Sequence, residues 1–192
     1  LKKLLKLCVV ILAVYLFLYA NNHWIVTTEV TYESEKVPAS FAGFRITQVT
    51  DLHDATFGDN QHRLVEKVRA TNPDAIFITG DLIDSRRYDL ANSLQAVEQF
   101  IEIADVYYVL GNHEVALNRM TEIYEALMQL GVHVLPNEAI VLERHGERLA
   151  IVGIEDPLMG KSVSSMLDIA LEQVADEDLS VLLSHRPEEF DA

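Results

Sequence analysis

One cysteine, Cys8, stands in the 192 residues, so no internal disulfide can form and a thiolate zinc site is excluded. Basic residues are also scarce. Fifteen Lys and Arg face 30 Asp and Glu, for a net charge of −15. A surface that acidic repels a polyanion, and no Lys/Arg cluster makes an exception, so nucleic acid is not an expected partner. Neither GxxxxGK nor GxGxxG occurs, which removes nucleotide cradling by a glycine loop. Repeats and low-complexity segments are missing past Trp24. What the chain does have is apolar: 49% hydrophobic residues with 23% charged, enough for a core and too few charges for disorder. The length suits one domain with a short extra segment.

That extra segment is "LKKLLKLCVVILAVYLFLYANNHW", residues 1–24. Lys2, Lys3 and Lys6 precede an unbroken apolar run from Leu7 to Ala20. From Leu4 to Ala20 a helix would be about 25 Å long, slightly short of a hydrocarbon core of about 30 Å unless the residues up to Trp24 complete it. Lys6 can snorkel to the headgroups, and Trp24 suits the opposite interface. A cleaved signal peptide is the rival reading, but no small-x-small site follows the run. Cys8 is a poor lipidation site, with Lys6 and Leu7 before it. The expectation is a single-pass anchor in the cell membrane, the lysines cytoplasmic and the main domain extracytoplasmic. The chain begins with Leu1 rather than Met, so its start is expected to be incomplete.

Residues 25–43 read as a leading strand and linker, and 44–192 as the main domain. One pattern recurs in that domain. "FRITQVTDLH" is a strand ending at Asp51, "AIFITGD" ends at Asp81, "VYYVLGN" at Asn112 and "SVLLSH" at His185. Near-continuous apolar runs fit strands covered on both faces. Helical spacing lies between them: Leu64, Val65 and Val68; Leu90, Leu94, Val97 and Ile101; Met120, Ile123, Leu127 and Leu130; Leu167, Ala170, Leu171 and Val174. The first three strand ends fall roughly 30 positions apart, one βαβ crossover each, so those strands should be parallel. Residues 138–154 read as a hairpin turning at Gly146. The expected architecture is an α/β sheet with an antiparallel excursion, and its ligand edge carries Asp51, His53, Asp81, Asp84, Asn112, His113 and His185.

Singly, an Asp or Asn after a strand is a turn former or a helix N-cap, and a lone His is a hydrogen-bonded bystander. Together they mean something else. Two carboxylates about 4 Å apart repel by about 4 kcal/mol at an effective dielectric near 20. A divalent cation turns that repulsion into coordination. Carboxylate and amide oxygens mixed with imidazole suit Mn, Fe or Zn better than Ca. A carboxylate shared between two ligand sets would make a two-metal centre, which lowers the pKa of a bound water and clamps a phosphoryl displacement.

Asp-x-His (Asp51, His53), Gly-Asp-x-x-Asp (Gly80, Asp81, Asp84), Gly-Asn-His-Glu (Gly111 to Glu114) and the later His185 occur in that order. Together they resemble the calcineurin-like metallophosphoesterases, in a membrane-anchored, bacterial-type branch. The resemblance implies a four-layer β-sandwich flanked by helices, two divalent or trivalent metal ions (Mn, Fe or Zn) and hydrolysis of phosphate esters by a metal-bound hydroxide. It implies that Asp51 and His53 bind one metal, that Asp81 bridges both, and that Asn112 and His185 bind the second. His113 would contact the substrate phosphate and assist the leaving group, with Asp84 as its carboxylate partner. Glu114 would fix the loop. The N-terminal span resembles that of members acting on lipid-linked substrates, with soluble phosphodiesters or nucleotides next.

Two departures stand out. The family closes its site with Gly-His-x-His, and this chain ends at Ala192 without it, so the domain is expected to be C-terminally incomplete. Ser85 follows Asp84 where the protein Ser/Thr phosphatases have Asp-Arg-Gly, which argues against phosphoprotein substrates. The alternative is a catalytically inactive, membrane-anchored binding module that kept the fold. His23, His62, His133 and His145 lie away from the proposed edge, and Arg86 and Arg87 read as solvated. Glu155 and Asp156, before Pro157, suit a turn as well as the site. Ser184 and His185 are no nucleophile pair, because adjacent strand side chains point oppositely.

Overall fold

The computed structural model describes residues 1–22, 24–172, 174–175 and 178–187. The chain divides into two units, Leu1–Thr31 and Tyr32–Ala192. In the first, helix α1 (Lys2–Asn22, 21 residues) takes in the apolar run together with the lysines before it. At about 1.5 Å per residue it is about 31 Å long, against the roughly 25 Å expected from sequence. It is long and apolar enough to cross a membrane. His23, expected in the anchor flank, lies outside the described residues.

The expected leading strand is absent: residues 24–34 have no regular secondary structure. Val26, Val30 and Tyr32 are 72%, 85% and 69% exposed. An unpaired strand satisfies none of its backbone donors and acceptors within the protein, and its apolar side chains gain no burial.

Among the described residues the second unit holds two sheets. The first is parallel, in the order β1 (Ile46–Val49), β2 (Ala75–Thr79), β3 (Asp105–Val109) and β4 (His133–Val134). All five residues of β2 are buried, as an apolar run covered on both faces requires. The connecting helices are α2 (His62–Ala70), α3 (Leu90–Phe100), α4 (Asn112–Leu117) and α5 (Met120–Gln129). They bury the expected stripes, among them Leu64, Val65, Val68, Val97, Ile123 and Leu127. Tyr124 of α5 meets Tyr108 edge-on at 6.2 Å between centroids, which puts α5 on one face of β3.

The second sheet is β5 (Glu138–Arg144), β6 (Glu147–Gly153) and β7 (Leu179–Leu183), in that order. β5 and β6 form the expected hairpin, turning through His145 and Gly146 at φ of +53° and +81°. β7 pairs in parallel with β6, after a crossover through α6 (Val163–Ala170). The α/β sheet with its antiparallel excursion is thus two sheets, as the sandwich implied by the resemblance requires, and the strand leading to His185 belongs to the second. Apolar periodicity is local and says nothing about which sheet a strand joins.

The two sheets face each other. Ala75, Phe77, Tyr107 and Val109 of the first pack with Ile151 and Leu183 of the second, and with Leu135. On the outer face of the second sheet, Met166 and Ala170 of α6 cover Ala150, Val152 and Ile154. Helices, sheet, sheet and helix make the four layers of a sandwich.

Ile151 is fully buried at the centre of that packing, whereas Ile169 is 45% exposed. Ile151→Ala is expected to cost about 2–5 kcal/mol in urea unfolding, and Ile169→Ala under about 1 kcal/mol. Equal costs would contradict this placement of the core.

Candidate metal centre

The loops leaving the strands are held in unusual backbone. Asp51, His53 and Asp54 after β1, and Asp81 after β2, have φ of +53°, +49°, +53° and +49°. Left-handed backbone costs about 1–2 kcal/mol per non-glycine residue and persists only where the surroundings enforce it. Here the two loops enforce each other. The amides of Asp51, His53 and Asp54 donate to the carbonyls of Gly80, Asp81 and Leu82 at 3.2, 2.9 and 3.2 Å. A Cβ on Gly80 would stand 2.7 Å from the Gly111 Cα and 2.8 Å from the His185 Nδ1. A Cβ on Gly111 would collide with the Asp81 carboxylate. Both positions are glycine because three loops cross at one point.

Asp81 sits at that crossing, its side chain only 4% exposed. Its Oδ1 accepts the His113 amide at 2.8 Å. Its Oδ2 faces the Nε2 atoms of His185, His53 and His113 at 3.5, 3.6 and 4.0 Å. Asp51 Oδ1 lies 3.5 Å from the same His53 Nε2. Direct hydrogen bonds run about 2.7–3.2 Å, so none of these contacts is one. Two ligands each about 2.1 Å from one ion would stand roughly 3–3.6 Å apart, which is this spacing. Among the described residues, two overlapping groups of side chains lie close enough to surround an ion, His53–Asp81–His113 and Asp51–Asp81–His185, with Asp81 in both.

Backbone contacts assign the ring protons of two histidines. His185 Nδ1 lies 2.9 Å from the Thr79 carbonyl, which can only accept. The proton therefore sits on Nδ1, and in the neutral ring Nε2 turns its lone pair towards Asn112 Oδ1 at 3.2 Å and Asp81 Oδ2. His113 is reversed. Its Nδ1 accepts the Ser85 amide at 3.1 Å, so Nε2 carries the hydrogen and has no lone pair to offer an ion. His53 Nδ1 is buried without a hydrogen-bond partner; the ring is oriented by the carboxylates before its Nε2 and by the His113 ring, 4.4 Å away between centroids.

The resemblance implied Asp84 as the carboxylate partner of His113, and Asp84 Oδ1 does lie near His113 Nδ1, though beyond direct hydrogen-bonding distance. The two stand 4.0 Å apart. Asp84 instead accepts the Arg86 amide at 2.8 Å and the Arg87 guanidinium at 2.8 and 3.0 Å. The Arg86 amide and the Arg87 guanidinium lower its pKa from 3.8 to about 2. Arg87 is thus paired rather than free.

Glu114 is 1% exposed and accepts three backbone amides, from Gly111 at 2.8 Å, Asp81 at 3.0 Å and Ile83 at 3.2 Å. Burial pushes its carboxyl up, while the Gly111 and Ile83 amides pull it back. It clamps the loops after β2 and β3 together.

Glu155 and Asp156 face other partners. Glu155 accepts from Asn137 Nδ2 at 2.6 Å, and Asp156 pairs with Arg186 Nε at 3.0 Å while capping the turn Pro157–Met159. His133 stacks on Tyr107, and His62 and His145 lie at a helix start and the hairpin turn. Sequence reading missed Thr79, Ser85 and Asp54; the first two act through backbone atoms, which side-chain identity does not report.

The sequence profile of the calcineurin-like phosphoesterases matches residues 44–191, and the chain belongs to that family. It is 32% identical over 119 residues to a Campylobacter jejuni metallophosphoesterase, covering 59% of this chain and 31% of that protein. It is 29% identical over 162 residues to a Danio rerio transmembrane protein with metallophosphoesterase domain, covering 80% and 37%. It is 28% identical over 178 residues to the Bacillus subtilis metallophosphoesterase YkuE, covering 88% and 60%. The chain thus spans less than two thirds of the length of each relative. The family is named for phosphoester chemistry, and the clustered side chains here could hold a metal ion.

A depressed carboxyl pKa contributes stability that is present above the ordinary value and lost as pH falls through the lowered one. The metal-free wild type should therefore exceed Asp84→Asn by a constant margin above about pH 5, and the margin should shrink between about pH 4 and pH 2. Urea midpoints across that range test this; a margin unchanged at pH 2 contradicts it.

Proposed function

We propose that the chain hydrolyses phosphate esters at a dinuclear metal centre bridged by Asp81. The observation that carries this reading is the set His185 Nε2, Asn112 Oδ1 and Asp81 Oδ2. His185 Nε2 faces the other two at 3.2 and 3.5 Å, and in the neutral ring no proton lies between them. Lone pairs aimed at one another are unfavourable until a cation sits among them. Asn112 and His185 would hold one ion, Asp51 and His53 the other, and Asp81 both. Oxygen and imidazole donors without thiolate suit Mn, Fe or Zn. When bound, the ions would supply an acidified water and charge neutralisation for the phosphate.

The protein's own part is to position and to donate. His113 presents Nε2–H beside Asp81, where it would donate to a phosphate or leaving-group oxygen. Glu114 holds the loops of Asp81 and Asn112 in place. Asp51, with its side chain 52% exposed, marks the open side of the centre, where substrate would enter.

We infer a membrane-borne, lipid-linked ester as substrate. Helix α1 and the transmembrane naming of the Danio rerio relative support a single-pass anchor. Lys2, Lys3 and Lys6 support a cytoplasmic start and an extracytoplasmic catalytic unit. Tethering confines the catalyst near the bilayer and raises its effective concentration against esters that reside there.

With added Mn²⁺, the protein should hydrolyse bis-p-nitrophenyl phosphate. Asp81→Ala should abolish turnover, and His113→Ala should lower kcat by about 10²–10⁴ with bound metal unchanged. Wild-type turnover in Asp81→Ala would sink the reading. For the substrate, kcat/KM on a lipid phosphoester should exceed that on its deacylated analogue at least about tenfold, equivalent to about 1.4 kcal/mol. Equal values would point to soluble esters.

A further inference from the structure

We propose that Asp54 is a positioning residue of the metal centre, fixing the backbone that aims His53 at Asp81; this rests on reading Asp51, His53 and Asp81 as ligands. Asp54 belongs to neither donor group. Its carboxylate accepts three bonds from the segment after β2. Oδ2 takes the amides of Asp84 at 2.8 Å and Asp89 at 2.9 Å, and Oδ1 takes the Ser93 hydroxyl at 2.7 Å. Its own amide donates to the Leu82 carbonyl at 3.2 Å, and its carbonyl accepts Asn92 Nδ2 at 2.8 Å. Ser93 is fully buried and also reaches the Leu82 carbonyl at 2.9 Å.

One residue therefore ties the loop after β1 to the stretch between Leu82 and Ser93, through both backbone and side chain. The tie is adjacent to the centre, since Asp54 follows His53 and Leu82 follows Asp81. Asp51, His53 and Asp54 all hold positive φ, which an untethered loop would relax. Relaxation would rotate His53 away from the shared carboxylate. The role is one of hydrogen-bond geometry and not of charge. An amide at this position can still accept both amide hydrogens through its oxygen. Its nitrogen can donate to Ser93 Oγ, whose proton then goes to Leu82.

The test is Mn²⁺ binding by calorimetry to the metal-free full chain in detergent, with melting followed in parallel. Asp54→Ala should weaken binding about 10–100-fold, as loss of an orienting partner does. Asp54→Asn should bind within about threefold of wild type, about 0.7 kcal/mol. Wild-type affinity in Asp54→Ala overturns the proposal, as does Asp54→Asn binding as weakly as Asp54→Ala. If Asp54→Ala does not fold, Ser93→Ala decides: binding weakened severalfold supports the tie, and unchanged binding overturns it. Asp81→Ala is the control that separates the two readings. If it binds Mn²⁺ like the wild type, or the wild type binds none, the metal centre itself falls. If it fails to bind while Asp54→Ala binds normally, only the role of Asp54 falls.

Discussion

The buried carboxylate of Asp81 is the constraint on which the rest of this structure depends. Removing a carboxylate from water costs several kcal/mol unless it is compensated. One oxygen is compensated by the His113 amide; the other faces imidazoles too distant to hydrogen-bond. A second buried acid, Glu114, lies behind it, spending its acceptors on three backbone amides. Folding alone gives no reason to gather these groups, since apolar clusters of the same volume are often as stable or more so. The arrangement makes physical sense as a seat for positive charge, which an acidic chain of net charge −15 does not itself supply there.

The scaffold exists to bring that seat together from distant parts of the chain. Three loops leave the carboxyl edge of the parallel sheet, and a fourth arrives from β7 in the other sheet. They approach so closely that Gly80 and Gly111 have no room for a Cβ. The strained backbone at Asp51, His53, Asp54 and Asp81 is held by bonds between loops, and at His53 and Asp54 also by the Ala55 amide bonding back to the Leu52 carbonyl. Strain of this kind is retained where a site needs a fixed geometry before its ligand arrives.

Much of this was legible in the sequence, for a simple reason. An apolar run that stops at Asp, Asn or His marks both a strand and the loop that follows it, so Asp51, Asp81, Asn112 and His185 announced where the strands end. Helix stripes such as Leu64–Val65–Val68 were equally plain. Sheet membership was not, because β7 looks like β2 in its own residues and differs only in its neighbours. The expected leading strand is not there: Val26 and Val30 are exposed in backbone without regular structure. Asp84 was assigned to His113 by resemblance; its Oδ1 stands 4.0 Å from His113 Nδ1 and also takes the Arg86 amide, two residues away. Asp54 looked like any turn aspartate, since its three donors lie 30 to 39 positions away. Contacts that distant leave no local trace.

The central claim is that Asp81 joins two ions in one centre. Electron paramagnetic resonance of the Mn²⁺-loaded protein reads this directly. The account predicts the broad spectrum of an exchange-coupled Mn²⁺ pair, replaced in Asp81→Ala by signal from free or singly bound ion. A six-line spectrum of isolated Mn²⁺ in the fully loaded wild type would contradict it.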